Sequence, residues 1–164
     1  MNSEFDWIKK WAQITPDKLA VTDLDSQESF TYRQLNQYVD KIFYYLKNQY
    51  KKGDRIAVLT EQSPFLVAFF GACQKLGLII VPINFRLSSQ EVNDLLKDCD
   101  PELIIYSEHY EDKVVLSKDY FNCLRLIDFI DSVRSNDADS LSCDYKIEED
   151  LPIFLFYSSG TTSK

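Results

Sequence analysis

The chain has 164 residues, a formal net charge of -8 and a composition that is 45% hydrophobic and 27% charged. It is long enough to bury one core, and its 10 Tyr and 11 Phe set it apart from disordered chains. The acidic balance excludes non-specific nucleic-acid binding, which needs a basic face, but not ATP, because a few backbone N–H groups hold phosphates on an acidic protein.

Phe5, Ile8, Trp11 and Ala12 share one side of a helix predicted over residues 4–14, which Pro16 and Asp17 end. Leu19–Thr22 and Ser29–Thr31 are short β-like runs around a turn-rich stretch, 23–28, and predict a hairpin. Asp23, Asp25 and Glu28 are expected in that solvated turn. Thr31 and Gln34 make a T-x-x-Q capping box for a helix over 31–50, with Leu35, Val39, Ile42, Phe43 and Leu46 at helical spacing and Lys51-Lys52-Gly53 closing it. Residues 55–60 read as a buried strand. Ser63 as N-cap and Pro64 at the first helical position open a helix over 64–76 that Gly77 stops. Residues 78–81 follow as a β-branched strand.

Ser88 and Glu91 form a second capping box for a helix over 89–98 lined by Val92, Leu95, Leu96 and Cys99. Residues 103–106 are the next strand, 124–130 a further one, and 132–150 an acidic surface loop bearing Ser and Asp, with Asp128 and Asp131 on a surface edge. A last buried strand spans 152–157. Strands and helices alternate, and the strands are apolar without in/out alternation. The expected fold is α/β, a largely parallel central sheet flanked by helices. Leu35, Val39, Ile42, Val58, Phe69, Ile80, Val81, Ile104 and Phe154 are the expected core.

Cys73, Cys99, Cys123 and Cys143 contain no C-x-x-C pair, and His109 is the only histidine. Reduced structural thiols in a cytoplasmic protein are expected, with no metal site. The first residues lack the basic and apolar regions of a signal peptide. The longest apolar runs, 65–73 and 76–83, are too short to cross a bilayer.

The last strand runs into Ser158, Ser159, Gly160, Thr161, Thr162, Ser163 and Lys164. Small residues let backbone N–H groups approach an anion, hydroxyls add neutral donors, and Lys164 adds a cation, which is what a triphosphate needs. The stretch is neither a Walker loop nor a dinucleotide fingerprint, since it holds a single Gly. A Ser/Thr-rich end that merely frays has the same composition.

Tyr157-Ser-Ser-Gly-Thr-Thr-Ser-Lys164 resembles the signature loop Y-T-S-G-T-T-G-x-P-K of the adenylate-forming superfamily. Four upstream segments resemble the same family in the same order. They are Phe30-Thr-Tyr-Arg-Gln-Leu35, Gly53-Asp54-Arg55-Ile-Ala-Val58, the helix-to-strand run 72–87 ending Pro82-Ile-Asn-Phe-Arg-Leu87, and Glu149-Asp150-Leu151. The resemblance implies that residues 1–164 are a partial N-terminal domain of an AMP-binding acyl-CoA ligase, ending inside the phosphate loop. Pro82-Ile-Asn-Phe-Arg-Leu87 resembles the acyl-CoA synthetase branch, whose members activate fatty or aryl acids, more than amino-acid adenylation domains.

The family's reaction, carboxylate plus Mg-ATP to acyl-adenylate and then coenzyme A to thioester, implies ATP, Mg2+ and coenzyme A for the intact parent enzyme, none of them expected to bind tightly to the isolated chain, and a carboxylic acid as substrate. By the same resemblance Ser158 to Lys164 would hold phosphate. The adenine, ribose, metal and catalytic groups would lie after residue 164, so no catalytic residue is assigned here and the isolated chain is expected to be inactive. Ser163 departs from the family's Gly, and Lys164 fills the variable slot rather than that of the loop lysine. Arg86 is expected to organise the fold, and the Tyr and Phe residues to build core rather than an acyl tunnel. A non-catalytic fragment acting as an interaction module, self-associating through its exposed face, and an amino-acid adenylation domain remain alternatives, while an unrelated ATP-binding α/β domain has only the loop in its favour.

Overall fold

The computed structural model describes residues 6–135, 145, 147, 148 and 150–157. Helix α1 (Trp7–Ile14) is capped by Asp6, whose carboxylate accepts from the Lys9 amide at 2.9 Å. A short antiparallel hairpin, β1 (Leu19–Thr22) and β2 (Ser29–Thr31), leads into α2 (Tyr32–Leu46). The Thr31–Gln34 capping box forms in full at the start of α2. The helix stops at Leu46, short of residue 50, and the next residues fold into a turn.

β3 (Arg55–Leu59), α3 (Pro64–Leu76), β4 (Ile79–Pro82), α4 (Ser89–Cys99) and β5 (Leu103–Tyr106) then alternate as the sequence predicts. Ser63 caps α3 through the Leu66 amide, and Gly77 ends it in the left-handed region at φ 66°. Ser88 and Glu91 close the capping box of α4. With β6 (Cys123–Arg125), the four-stranded sheet has the order β4-β3-β5-β6, with every pairing parallel. β3 sits in the interior, in register with β4 at Ile56↔Ile80 and with β5 at Ala57↔Ile104.

The strand expected at 124–130 is corrected. Only Cys123–Arg125 (β6) pairs with β5, and Leu126–Arg134 is helix α6. Leu126, Phe129, Ile130 and Val133 recur at helical spacing, and burying Phe129 and Val133 on the α2–α3 side outweighs the β propensity of the Leu and Ile residues. Between β5 and β6, a 3-10 turn at Glu108–Tyr110, a short helix α5 (Glu111–Val114) and a second 3-10 turn fill a stretch the sequence left unassigned.

Two apolar layers cover the sheet. On one face α2, α3 and α6 pack Val39, Ile42, Phe69, Ala72 and Phe129 against Ile56, Ile80 and Ile105. On the other, Val92, Leu96 and Cys99 of α4 meet Ala57, Val81 and Ile104. Phe65, Phe69 and Phe129 touch edge to face at 5.7 to 5.8 Å, so these rings build core. Gly71 makes room where α1 crosses, since a Cβ there would meet Ile8 Cδ1 at 2.8 Å. Among the described residues no helix is long and apolar enough to cross a membrane.

Candidate functional site

Residues 151–157 form the approach to the candidate phosphate loop. They run beside β4 in parallel, tied by the Ile80 amide to the Ile153 carbonyl at 2.8 Å and the Leu155 amide to the Ile80 carbonyl at 2.9 Å. The pairing is a single bridge at Ile80↔Phe154 rather than the full strand expected over 152–157. It places this segment at the sheet edge, next to β4.

Ile153 packs against the core layer of α2 and α3. Phe154 packs edge to face on Phe70 of α3 at 5.5 Å and stacks on Phe156 at 5.3 Å. The Tyr157 hydroxyl donates to Asp98 of α4. Desolvation, and then that bond to a carboxylate, push the Tyr157 phenol well above its ordinary value, so it stays protonated at neutral pH. Phe154, expected in the core, is 38% exposed, and this is a correction. Its segment has a neighbour strand on one side only among the described residues, so one flank of the ring is left to solvent.

Behind the segment lies a cavity of about 240 Å³ lined by Gln74, Gly77, Leu78, Ile147, Leu151 and Ile153. Leu151 closes over Gly77, where an added Cβ would come within 3.0 Å of Leu151 Cδ1. Gly77 therefore serves twice, for its left-handed backbone and for this close approach. Lys52 and Glu148 form an ion pair near the same place.

Ser158, Ser159, Gly160, Thr161, Thr162, Ser163 and Lys164 lie outside the described residues. Cys143 and most of the acidic 136–150 stretch lie outside them too. Among the described residues no group of three His, Cys, Asp or Glu side chains is placed to hold a metal ion. Cys73, Cys99 and Cys123 are free thiols. Arg86 is exposed, with its guanidinium 5.7 Å from the Phe85 ring centroid. Asp23 sits in the exposed hairpin turn, where bonds from Ser26 and the Asp25 amide lower its pKa.

The sequence reading missed a buried ionic cluster. Lys75 of α3, with 1% of its side chain exposed, lies 3.3 Å from Asp6 and 3.0 Å from Asp40. Its ammonium also stands 4.6 Å from the Tyr145 ring centroid. The signal was present, because Lys75 is the single charge in the helix Pro64–Leu76. A charge inside so apolar a helix needs a buried partner.

A family model described as AMP-binding enzyme matches residues 8–164. The 2-succinylbenzoate–CoA ligase of Oceanobacillus iheyensis is 29% identical over 161 residues, covering 95% of this chain and 31% of that protein. The long-chain-fatty-acid–CoA ligase FadD13 of Mycobacterium tuberculosis is 29% identical over 164 residues, covering 94% of this chain and 32% of that protein. An inhibitor-bound crystal structure of the N-terminal domain of FACL13 from Mycobacterium tuberculosis superposes with a TM-score of 0.85 at 26% identity, over 96% of this chain and 41% of that one. The chain thus spans about a third of the length of the curated relatives it matches. Its α/β architecture is that of the N-terminal domain of adenylate-forming ligases, and the chain belongs to the AMP-binding enzyme family.

Proposed function

We propose that this chain is the opening part of an ATP-dependent acid–CoA ligase, and that its last strand delivers Ser158 to Lys164 to the phosphates of ATP. The observation that carries the reading is the edge segment of residues 151–157, bridged to β4 at Ile80 and running in sequence into a stretch of small, hydroxyl-bearing residues. In such an enzyme a carboxylate attacks the α-phosphorus of ATP and pyrophosphate leaves. Coenzyme A then displaces AMP to give the thioester. Backbone N–H groups and the hydroxyls of Thr161 and Thr162 would steady charge on the departing pyrophosphate, with Mg2+ carried on the nucleotide.

A fatty or aryl acid is the proposed substrate class, supported by Pro82-Ile-Asn-Phe-Arg-Leu87 and by the acid–CoA ligases among the relatives. The cytoplasm, which supplies ATP and coenzyme A, is the proposed compartment. The isolated chain is proposed to be inactive, since it brings part of one phosphate loop and no assigned adenine, ribose or catalytic group. Titration of the labelled chain with Mg-pyrophosphate, followed by amide NMR, tests the reading. Shifts centred on 158–164 are expected, and shifts elsewhere with none in that stretch would sink it.

A second reading, an interaction module that self-associates, is favoured by one feature. Phe154, Leu155, Phe156 and Tyr157 are 36 to 72% exposed along a sheet edge that no further strand covers among the described residues. Light scattering at rising concentration should show mass growth that Phe156→Ser reduces. A clean monomer throughout would remove this reading.

A further inference from the structure

We propose that Lys75 is a positioning residue for the last strand. Its buried ammonium, clamped between Asp6 and Asp40, holds Tyr145 and so fixes where residues 147–157 join the sheet beside β4. That this strand carries a phosphate loop rests on the function proposed above; the tether itself does not.

Tyr145 is held in two ways by one cluster. Its hydroxyl donates to Asp6, and its ring lies over the Lys75 ammonium at 4.6 Å, with Lys9 at 5.3 Å and the Phe43 ring at 5.9 Å. Asp6 is the N-cap of α1, Asp40 belongs to α2, and Lys75 to α3. Asp40 is steadied in turn by Asn36, whose side-chain amide donates to it at 3.0 Å. Three helices thus converge on one ammonium, and among the described residues beyond 135 it is the Tyr145 ring that lies over it.

A buried ion cluster adds little net stability over an apolar replacement of the same shape, because desolvating each charge offsets the attraction. Its directional contacts do fix geometry. From Tyr145 the chain passes to Ile147, buried at 8% exposure, then to the Glu148–Lys52 ion pair, to Leu151 over Gly77, and to the two backbone bonds with Ile80. The later anchors are one exposed ion pair, one apolar contact over Gly77 and two backbone bonds at Ile80. Tyr145 is the first of them and the one set by buried charge, so a shift there passes directly to the strand.

Hydrogen exchange followed by mass spectrometry on the 164-residue chain tests this. Lys75→Met leaves the buried Asp6 and the half-buried Asp40 without their cation and risks unfolding the chain, so Tyr145→Leu is measured beside it, because it spares the Lys75 ion pairs. In Tyr145→Leu, peptides covering 147–157 should exchange about tenfold faster than in the wild type, while β3 and β5 keep their protection. Unchanged exchange over 147–157, or a rise that β3 and β5 share equally, would overturn the proposal. Protection of 158–164 by Mg-pyrophosphate in the wild type is read in the same experiment. It reports on the phosphate-loop reading alone, so failure of that reading and failure of the tether give different results.

Discussion

Ile80 and Phe154 face each other across a parallel bridge at the sheet edge, yet Ile80 is fully buried and Phe154 is 38% exposed. Ile80 has β3 on its other side and Phe69 and Ala72 among the residues of its core layer. Phe154 leans on Phe70 and Phe156. The two positions therefore differ in what truncation removes. Phe69→Ala and Ile80→Ala should each cost about 2–5 kcal/mol of unfolding free energy, because each leaves a cavity in closed packing. Phe154→Ala should cost less than half as much. Urea denaturation of the three variants checks the order, and an equal loss at Phe154 would mean that its exposed flank is covered in solution.

Periodicity and caps made most of this fold legible. Thr31 with Gln34, Ser63 with Pro64, and Ser88 with Glu91 mark three helix starts that the structure reproduces. What failed, failed for tertiary reasons. Leu124 to Ile130 has strand composition, but Phe129 and Val133 gain more by facing α2 and α3 from a helix. Phe154 sits in a buried-strand pattern whose burial depends on a neighbour on its far side. The Lys75 cluster joins positions as far apart as Asp6 and Tyr145, a pairing that no local pattern encodes.

The α4 cap should show a pH signature. Bonds from the Ser88 amide and hydroxyl lower the Glu91 pKa below its ordinary 4.5. A carboxylate lowered in the folded state contributes stability that is present above the unfolded value and lost as pH falls through the folded one. Ser88→Ala should destabilise by about 1 kcal/mol near neutrality. Its deficit against the wild type should narrow below pH 4.5 as Glu91 protonates. Thermal unfolding of both proteins across that range is the measurement, and a deficit that does not change with pH would contradict the bonding seen at Glu91.

Burial should silence two thiols. It raises the Cys73 pKa well above the ordinary range and pushes Cys99 up to about 11, with the Arg55 guanidinium acting weakly the other way on Cys99. At pH 8 both stay protonated and shielded. Iodoacetamide should leave Cys73 and Cys99 unmodified in the folded chain and label both in denaturant. Rapid native labelling of either, read by peptide mass spectrometry, would show that its helix opens.

This chain is proposed to bring the first part of an acid-activating site and to depend on the rest of the domain for chemistry. Carboxylate-dependent exchange of labelled pyrophosphate into ATP tests this. The assay compares the 164-residue chain with the same chain joined to the C-terminal two-thirds of a relative such as the Oceanobacillus iheyensis ligase, once that joined protein shows one cooperative unfolding transition. No exchange by the chain alone is expected. The joined protein should exchange with a fatty or aryl acid, slowed on the order of 10²-fold by Thr161→Val with Thr162→Val through loss of donors near developing charge. Exchange by the 164-residue chain itself, or none by the folded joined protein with any acid tried, would contradict the proposal.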